Sequence, residues 1–163
     1  MVEELNYKII KKIGKVELRS YPDCIMATTS LPLKDRNAAF RRIAGYIFGG
    51  NKQQKQIAMT APVIMRTTSK FHMSFIMPKN YSMKDLPVPN SRDVKIERID
   101  SRKMAVLRFS GFMNEDRIRE KTQELLEILE SSKIKYKGEP IFMGYNAPWT
   151  LPIFRRNEVA VEI

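Results

Sequence analysis

The chain is poor in the residues that carry most metal and redox chemistry: it has one cysteine, Cys24, and one histidine, His72. A single cysteine excludes an internal disulfide, and two such residues are too few for a zinc site built on several Cys and His ligands. Long apolar runs are missing as well. The longest stretch without charge, Pro140 to Phe154, is interrupted by Pro148 and Pro152, and it falls short of the roughly 20 apolar residues that a spanning helix needs. Met1 to Lys12 carries Glu3, Glu4, Lys8, Lys11 and Lys12 with no apolar core, so no secretory signal is read there and a cytoplasmic location is expected. The net charge is +11, yet no run of five like charges occurs. A dedicated nucleic-acid arm or polybasic lipid tether would concentrate its charge. A solvated basic surface is the reading taken, with no specific nucleic-acid partner. Nor is there a Gly-rich phosphate loop, because Gly49-Gly50-Asn51 follows a helical pattern at its C-terminal end, where the dipole repels anions.

What remains is ample for one core. With 163 residues, 43% of them hydrophobic, folding can bury roughly 70% of the surface of the extended chain. Tyr7–Ile13, Lys15–Arg19 and Cys24–Thr29 are short and rich in Ile, Val, Leu and Thr, which predicts strands. Asp35 is placed to cap a helix running to Phe48, with Ala39, Phe40, Ile43, Ala44 and Ile47 at three- and four-residue spacing. Residues 57–65 and 71–77 alternate apolar and other side chains, predicting two more strands, with Pro62 at an edge or bulge because it lacks a donor. After an irregular stretch from Asn80 to Arg92 the pattern restarts: strands at 94–99 and 104–109, a helix capped by Asn114 with Ile118, Leu125, Leu126 and Leu129 inward, then strands at 141–145 and 157–163.

Two similar halves, about 7–78 and 93–163, are therefore expected within a single domain spanning 1–163. Ile57-Ala-Met59 leading to Ala61-Pro62 is echoed by Ile141-Phe-Met143 leading to Ala147-Pro148, an offset too long for a solenoid repeat. Short strands with one apolar face and few crossovers favour an α+β fold: a distorted antiparallel β-barrel of two pseudo-repeats with two flanking helices.

Candidate chemistry is sparse. Cys24, beside Asp23, reads as a small buried hydrophobe rather than a nucleophile. His72 is out of phase with Phe71, Met73 and Phe75, so it points away from their apolar face. Met59, Met65, Met73 and Met77 share one parity on two strands and read first as core filling. Less easily explained by a core is Gly144–Phe154, an apolar connection containing Trp149, Leu151, Ile153 and Phe154, since loops are usually polar. Such a segment either covers a core edge or walls a groove for a flat hydrophobic ligand. Arg155 and Arg156 follow it and could hold a carboxylate at the rim.

Tyr46-Ile47, Gly50-Asn51, Lys55–Val63, Met77-Pro78, Gly144–Pro148 and Arg156-Asn157-Glu158-Val159 resemble the signature segments of the SOUL haem-binding family, from about Tyr7 to Ile163. The resemblance implies a distorted barrel with two helices and binding of haem or a related tetrapyrrole in a shallow apolar groove between the first helix and the loop before the last strand. Phe40, Arg41, Ala44 and Ile47 then fall on the helix side, and Trp149, Leu151, Arg155 and Arg156 on the loop side. Ser20 stands where some members carry a histidine, and Gly45 and Thr150 where others carry groove lysines. As the one imidazole, His72 is the candidate for an axial iron ligand. The expectation is a monomeric, non-enzymatic carrier, buffer or sensor of haem. Its alternative is a regulatory small-molecule-binding module resembling bacterial drug-sensing domains.

Overall fold

Both predicted helices form where their caps stand. In the computed structural model, which describes residues 2–147 and 149–163, Asp35 accepts from the Ala38 N–H and opens α1, Arg36–Ile47. Asn114 accepts from the Arg117 N–H and opens α2, Glu115–Ser131, with Glu115 and Asp116 in its first turn. Carboxylates there complement the positive end of the helix dipole.

The chain divides into two compact units that do not follow the sequence halves. The first comprises residues 1–5 and 23–100, the second 6–22 and 101–163. In the first unit β4 (Cys24–Leu31), β6 (Val63–Thr67), β7 (Phe71–Ile76) and β8 (Lys95–Ile99) form an antiparallel ladder in the order β6-β7-β4-β8. Helix α1 packs on β4 and β7. A short parallel pair joins β1 (Glu3–Glu4) to β5 (Thr60–Ala61). In the second unit β2 (Lys8–Ile13), β3 (Val16–Tyr21), β9 (Arg102–Phe109), β10 (Lys137–Gly144) and β11 (Asn157–Glu162) run antiparallel in the order β2-β3-β9-β11-β10. Helix α2 lies on β9 and β11.

The two ladders repeat one plan. β8-β4-β7-β6 with α1 matches β3-β9-β11-β10 with α2, and the strand that opens each repeat pairs within the other unit: β3 joins β9, and β8 joins β4. The chain passes between units only at Leu5–Asn6, Pro22–Asp23 and Asp100–Ser101. The α+β class and the helix on each repeat are as expected. The word barrel is too strong, because within each unit the sheet is open, with β6 and β8 or β2 and β10 at its edges.

Two local expectations need correction. The strand predicted from Ile57 to Met65 is reduced to β5 and β6, because Pro62, with no N–H, interrupts the ladder. Ile57-Ala-Met59 lies outside the strands, just before β5, whereas Ile141-Phe-Met143 lies in β10, so their likeness in letters does not mark equivalent places. Pro148, the end of that echo, lies outside the described residues. Burial defines a plain apolar core in the first unit: Met26, Ala27, Ile43, Ile47, Phe71 and Met73 among others. The second unit combines Val16, Leu107, Leu125, Leu129, Val159 and Val161 with a buried pair of opposite charges, Arg19 and Glu158.

Candidate functional site

Helix α1 turns most of the predicted ligand side inward. Ala44 and Ile47 are buried and pack in the core of the first unit, where their spacing serves the sheet beneath. Phe40 is partly exposed and leans on Phe75, ring centroids 5.4 Å apart. Arg41 is exposed on the same helix.

His72, on β7, has both ring nitrogens engaged. Nδ1 lies 2.7 Å from the Ser30 hydroxyl and Nε2 2.9 Å from the Thr68 hydroxyl. Burial and the nearby Arg66 and Lys70 charges hold its pKa below the ordinary value, favouring the neutral ring. Both ring nitrogens therefore have hydroxyl partners. No cluster of three or more Cys, His, Asp or Glu side chains placed for a metal occurs among the described residues.

In the second unit the connection between β10 and β11 is apolar and open to solvent. Trp149 is 85% exposed and Leu151 62%. Its described residues carry backbone hydrogen bonds: Thr150 N–H donates to Ala147 O at 3.0 Å, and a 3₁₀ turn, Pro152–Phe154, is closed by Phe154 N–H to Leu151 O at 2.9 Å. Arg155 is half-buried, and its Nε–H donates to Thr150 O at 2.8 Å.

Arg156 leaves the rim. Its side chain is 16% exposed, Nη2 donates to the Tyr7 hydroxyl at 3.0 Å, and its guanidinium stacks 3.8 Å over Tyr145 and lies 3.4 Å from Glu158. The rim role expected from sequence is therefore corrected, because Arg156 completes the buried cluster around Glu158. There Arg19 pairs with Glu158 through two parallel bonds, 2.9 and 2.7 Å, and reaches Tyr21 at 2.9 Å and Glu17 at 2.6 Å. Burial opposes charge on both partners, yet the Arg19 hydrogen bonds and charge hold the Glu158 carboxyl below its ordinary value, and Glu158 holds Arg19 above its own. Burial pushes Tyr21 up to about 12 and Tyr145 higher still. Four charges, Arg19, Glu17, Glu158 and Arg156, thus compensate one another within this cluster. Sequence reasoning missed Arg19, Glu17, Tyr7 and Tyr145. The one trace was that Glu17, Arg19 and Tyr21 share a parity on β3.

The arrangement offers exposed apolar and aromatic surface beside cations. Fold comparison defines the class: helix-backed antiparallel sheets similar to the EcmrR C-terminal domain, with TM-score 0.66, 12% identity and 96% of each chain covered. A structure titled as a hydrolase from Listeria innocua is similar at TM-score 0.64, 9% identity and 93% of each chain. Likeness at these identities concerns fold alone. The family is narrower. Residues 2–162 match the family described as SOUL heme-binding protein, and the chain belongs to it. Heme-binding protein 2 of Mus musculus is 31% identical over 159 residues, covering 90% of this chain and 77% of that one.

Proposed function

We propose that this chain binds haem or a related tetrapyrrole without transforming it, as a carrier, buffer or sensor. The observation that carries the proposal is the pinned but solvent-facing apolar connection of the second unit, with Trp149 and Leu151 exposed in a chain whose family and relatives are named for haem binding. A porphyrin is a wide apolar plane with two carboxylates at one edge, and the residues present fit that chemistry. Trp149 gives a ring to stack on, Leu151 an aliphatic contact, and Arg155 a cation for a propionate. Phe40 and Arg41 of α1 supply the same kinds of surface in the first unit. The proposed binding rests on apolar contact and charge.

Hemin titration followed by its visible absorption band tests the proposal. A saturable one-to-one shift that survives high salt is expected, since salt screens mere attraction of an anion to a basic surface. Trp149→Ala should weaken binding by about 1–3 kcal/mol, roughly 5- to 150-fold. Unchanged affinity would exclude this connection. A regulatory module sensing another planar amphiphile would use the same surface. It would show as a larger rise in unfolding temperature with that ligand than with hemin.

A further inference from the structure

Trp149 and Leu151 are accounted for by the proposed ligand, but three neighbours are not. Phe112, Ile153 and Phe154 are 65%, 73% and 69% exposed. They stand on two connections of the second unit, residues 110–114 before α2 and 145–156 before β11. The two are tied: Gly111 N–H donates to Pro152 O at 2.9 Å, and the Asn157 amide donates to Gly111 O at 3.0 Å. One backbone hydrogen bond and one from the Asn157 side chain hold these connections in place, while five large apolar side chains in all face water. An ordered apolar patch of this kind is built to meet an apolar phase.

Charge decides which phase. A second copy of the chain carries the same +11 and is repelled, whereas a bilayer surface bearing anionic lipid attracts it. Two guanidinium groups flank the patch. Arg117 donates twice to Ser110 O, at 3.2 and 3.0 Å, and Arg155 once to Thr150 O at 2.8 Å. Each is oriented beside the apolar residues by the backbone it holds. Glu115 and Asp116, exposed at the start of α2, stay in water and limit the depth reached. Trp149 has the ring type favoured at the headgroup level.

We infer that this patch docks the chain on the surface of an anionic bilayer, with Phe112, Ile153 and Phe154 entering the boundary between headgroups and acyl chains and Arg117 and Arg155 meeting lipid phosphates. No helix among the described residues is long and apolar enough to cross a membrane, and docking requires none.

The test uses the full chain without hemin and two kinds of vesicle, pure phosphatidylcholine and phosphatidylcholine with about a quarter phosphatidylserine. Trp149 is the one tryptophan, so its emission reports the patch. Cosedimentation with the anionic vesicles, a shift of emission to shorter wavelength and loss of both as salt rises are expected. Phe112→Ser/Ile153→Ser/Phe154→Ser should lower partition at least about tenfold, given the area withdrawn from lipid. Phe112→Ser alone, shown by its unfolding midpoint to fold like the parent, should lower it less. Failure of the parent chain to sediment with anionic vesicles, or equal sedimentation of parent and triple variant, would overturn the inference. So would a blue shift in lipid-free buffer that grows with protein concentration alongside a doubled mass, which assigns the patch to a second copy. The triple variant keeps Trp149 and Leu151, so hemin titration on it succeeds or fails independently.

Discussion

The two units share a plan and differ at one hairpin. In the first, β6 turns into β7 through residues 68–70, where Thr68 N–H bonds Lys70 O across a polar turn. In the second, the equivalent strands β10 and β11 are joined by residues 145–156, which carry Trp149, Leu151, Ile153 and Phe154. The interiors differ in the same sense. The first unit is held by side chains such as Ile43, Phe71 and Met73, the second also by the Arg19–Glu158 pair with Arg156 and three tyrosines around it. One plan thus carries a short polar turn in one unit and a long apolar connection in the other. The ionic cluster anchors that connection, because Arg156 and Glu158 follow it directly and fix where it returns to the sheet.

The comparison breaks most visibly at Glu158. Glu158→Ala leaves the Arg19 guanidinium buried without its partner and should cost about 3–5 kcal/mol in urea unfolding. In the first unit Ser74→Ala, which removes the 2.7 Å bond to Thr28, should cost only about 1 kcal/mol. Acid sharpens the same contrast. The Glu158 carboxyl is held below its ordinary value of 4.5 by Arg19, so its contribution is fully present above that value and is lost as pH falls through the lowered folded value. Stability of the parent chain should therefore fall more steeply below pH 4.5 than that of Glu158→Gln; parallel slopes would contradict the assignment. The caps should show likeness rather than difference. Asp35→Ala and Asn114→Ala each remove one bond of 2.9 Å to a first-turn N–H, and each should cost about 1 kcal/mol. Smallest is Gly45→Ala, expected to stabilise by about 0.5–1 kcal/mol, since a Cβ there meets nothing within 4 Å. Gly50→Ala should destabilise instead, because its Cβ would lie 2.5 Å from Gly45 O.

Local chemistry was legible in the sequence, and partnership was not. Asp35 and Asn114 announce their helices because a cap acts within one turn. The apolar connection at 149–154 stands out because large hydrophobes are uncommon in loops. By contrast the exchange of β3 and β8 between units depends on pairing across some eighty residues, which no window of sequence records. Arg156 looked like a rim cation for the same reason: its partner Tyr7 lies 149 residues away along the chain. The inward turn of Ala44 and Ile47 was present in their spacing. The family resemblance drew them toward a ligand, while periodicity alone assigned them to the core.

The most direct measurement is the hemin affinity of two variants that each remove exposed apolar surface, Trp149→Ser/Leu151→Ser in the second unit and Leu33→Ser in the first. If the connection between β10 and β11 holds the ligand, the double variant loses at least about tenfold in affinity and Leu33→Ser binds like the parent chain. Equal affinity for all three, or equal losses in both variants, would contradict it.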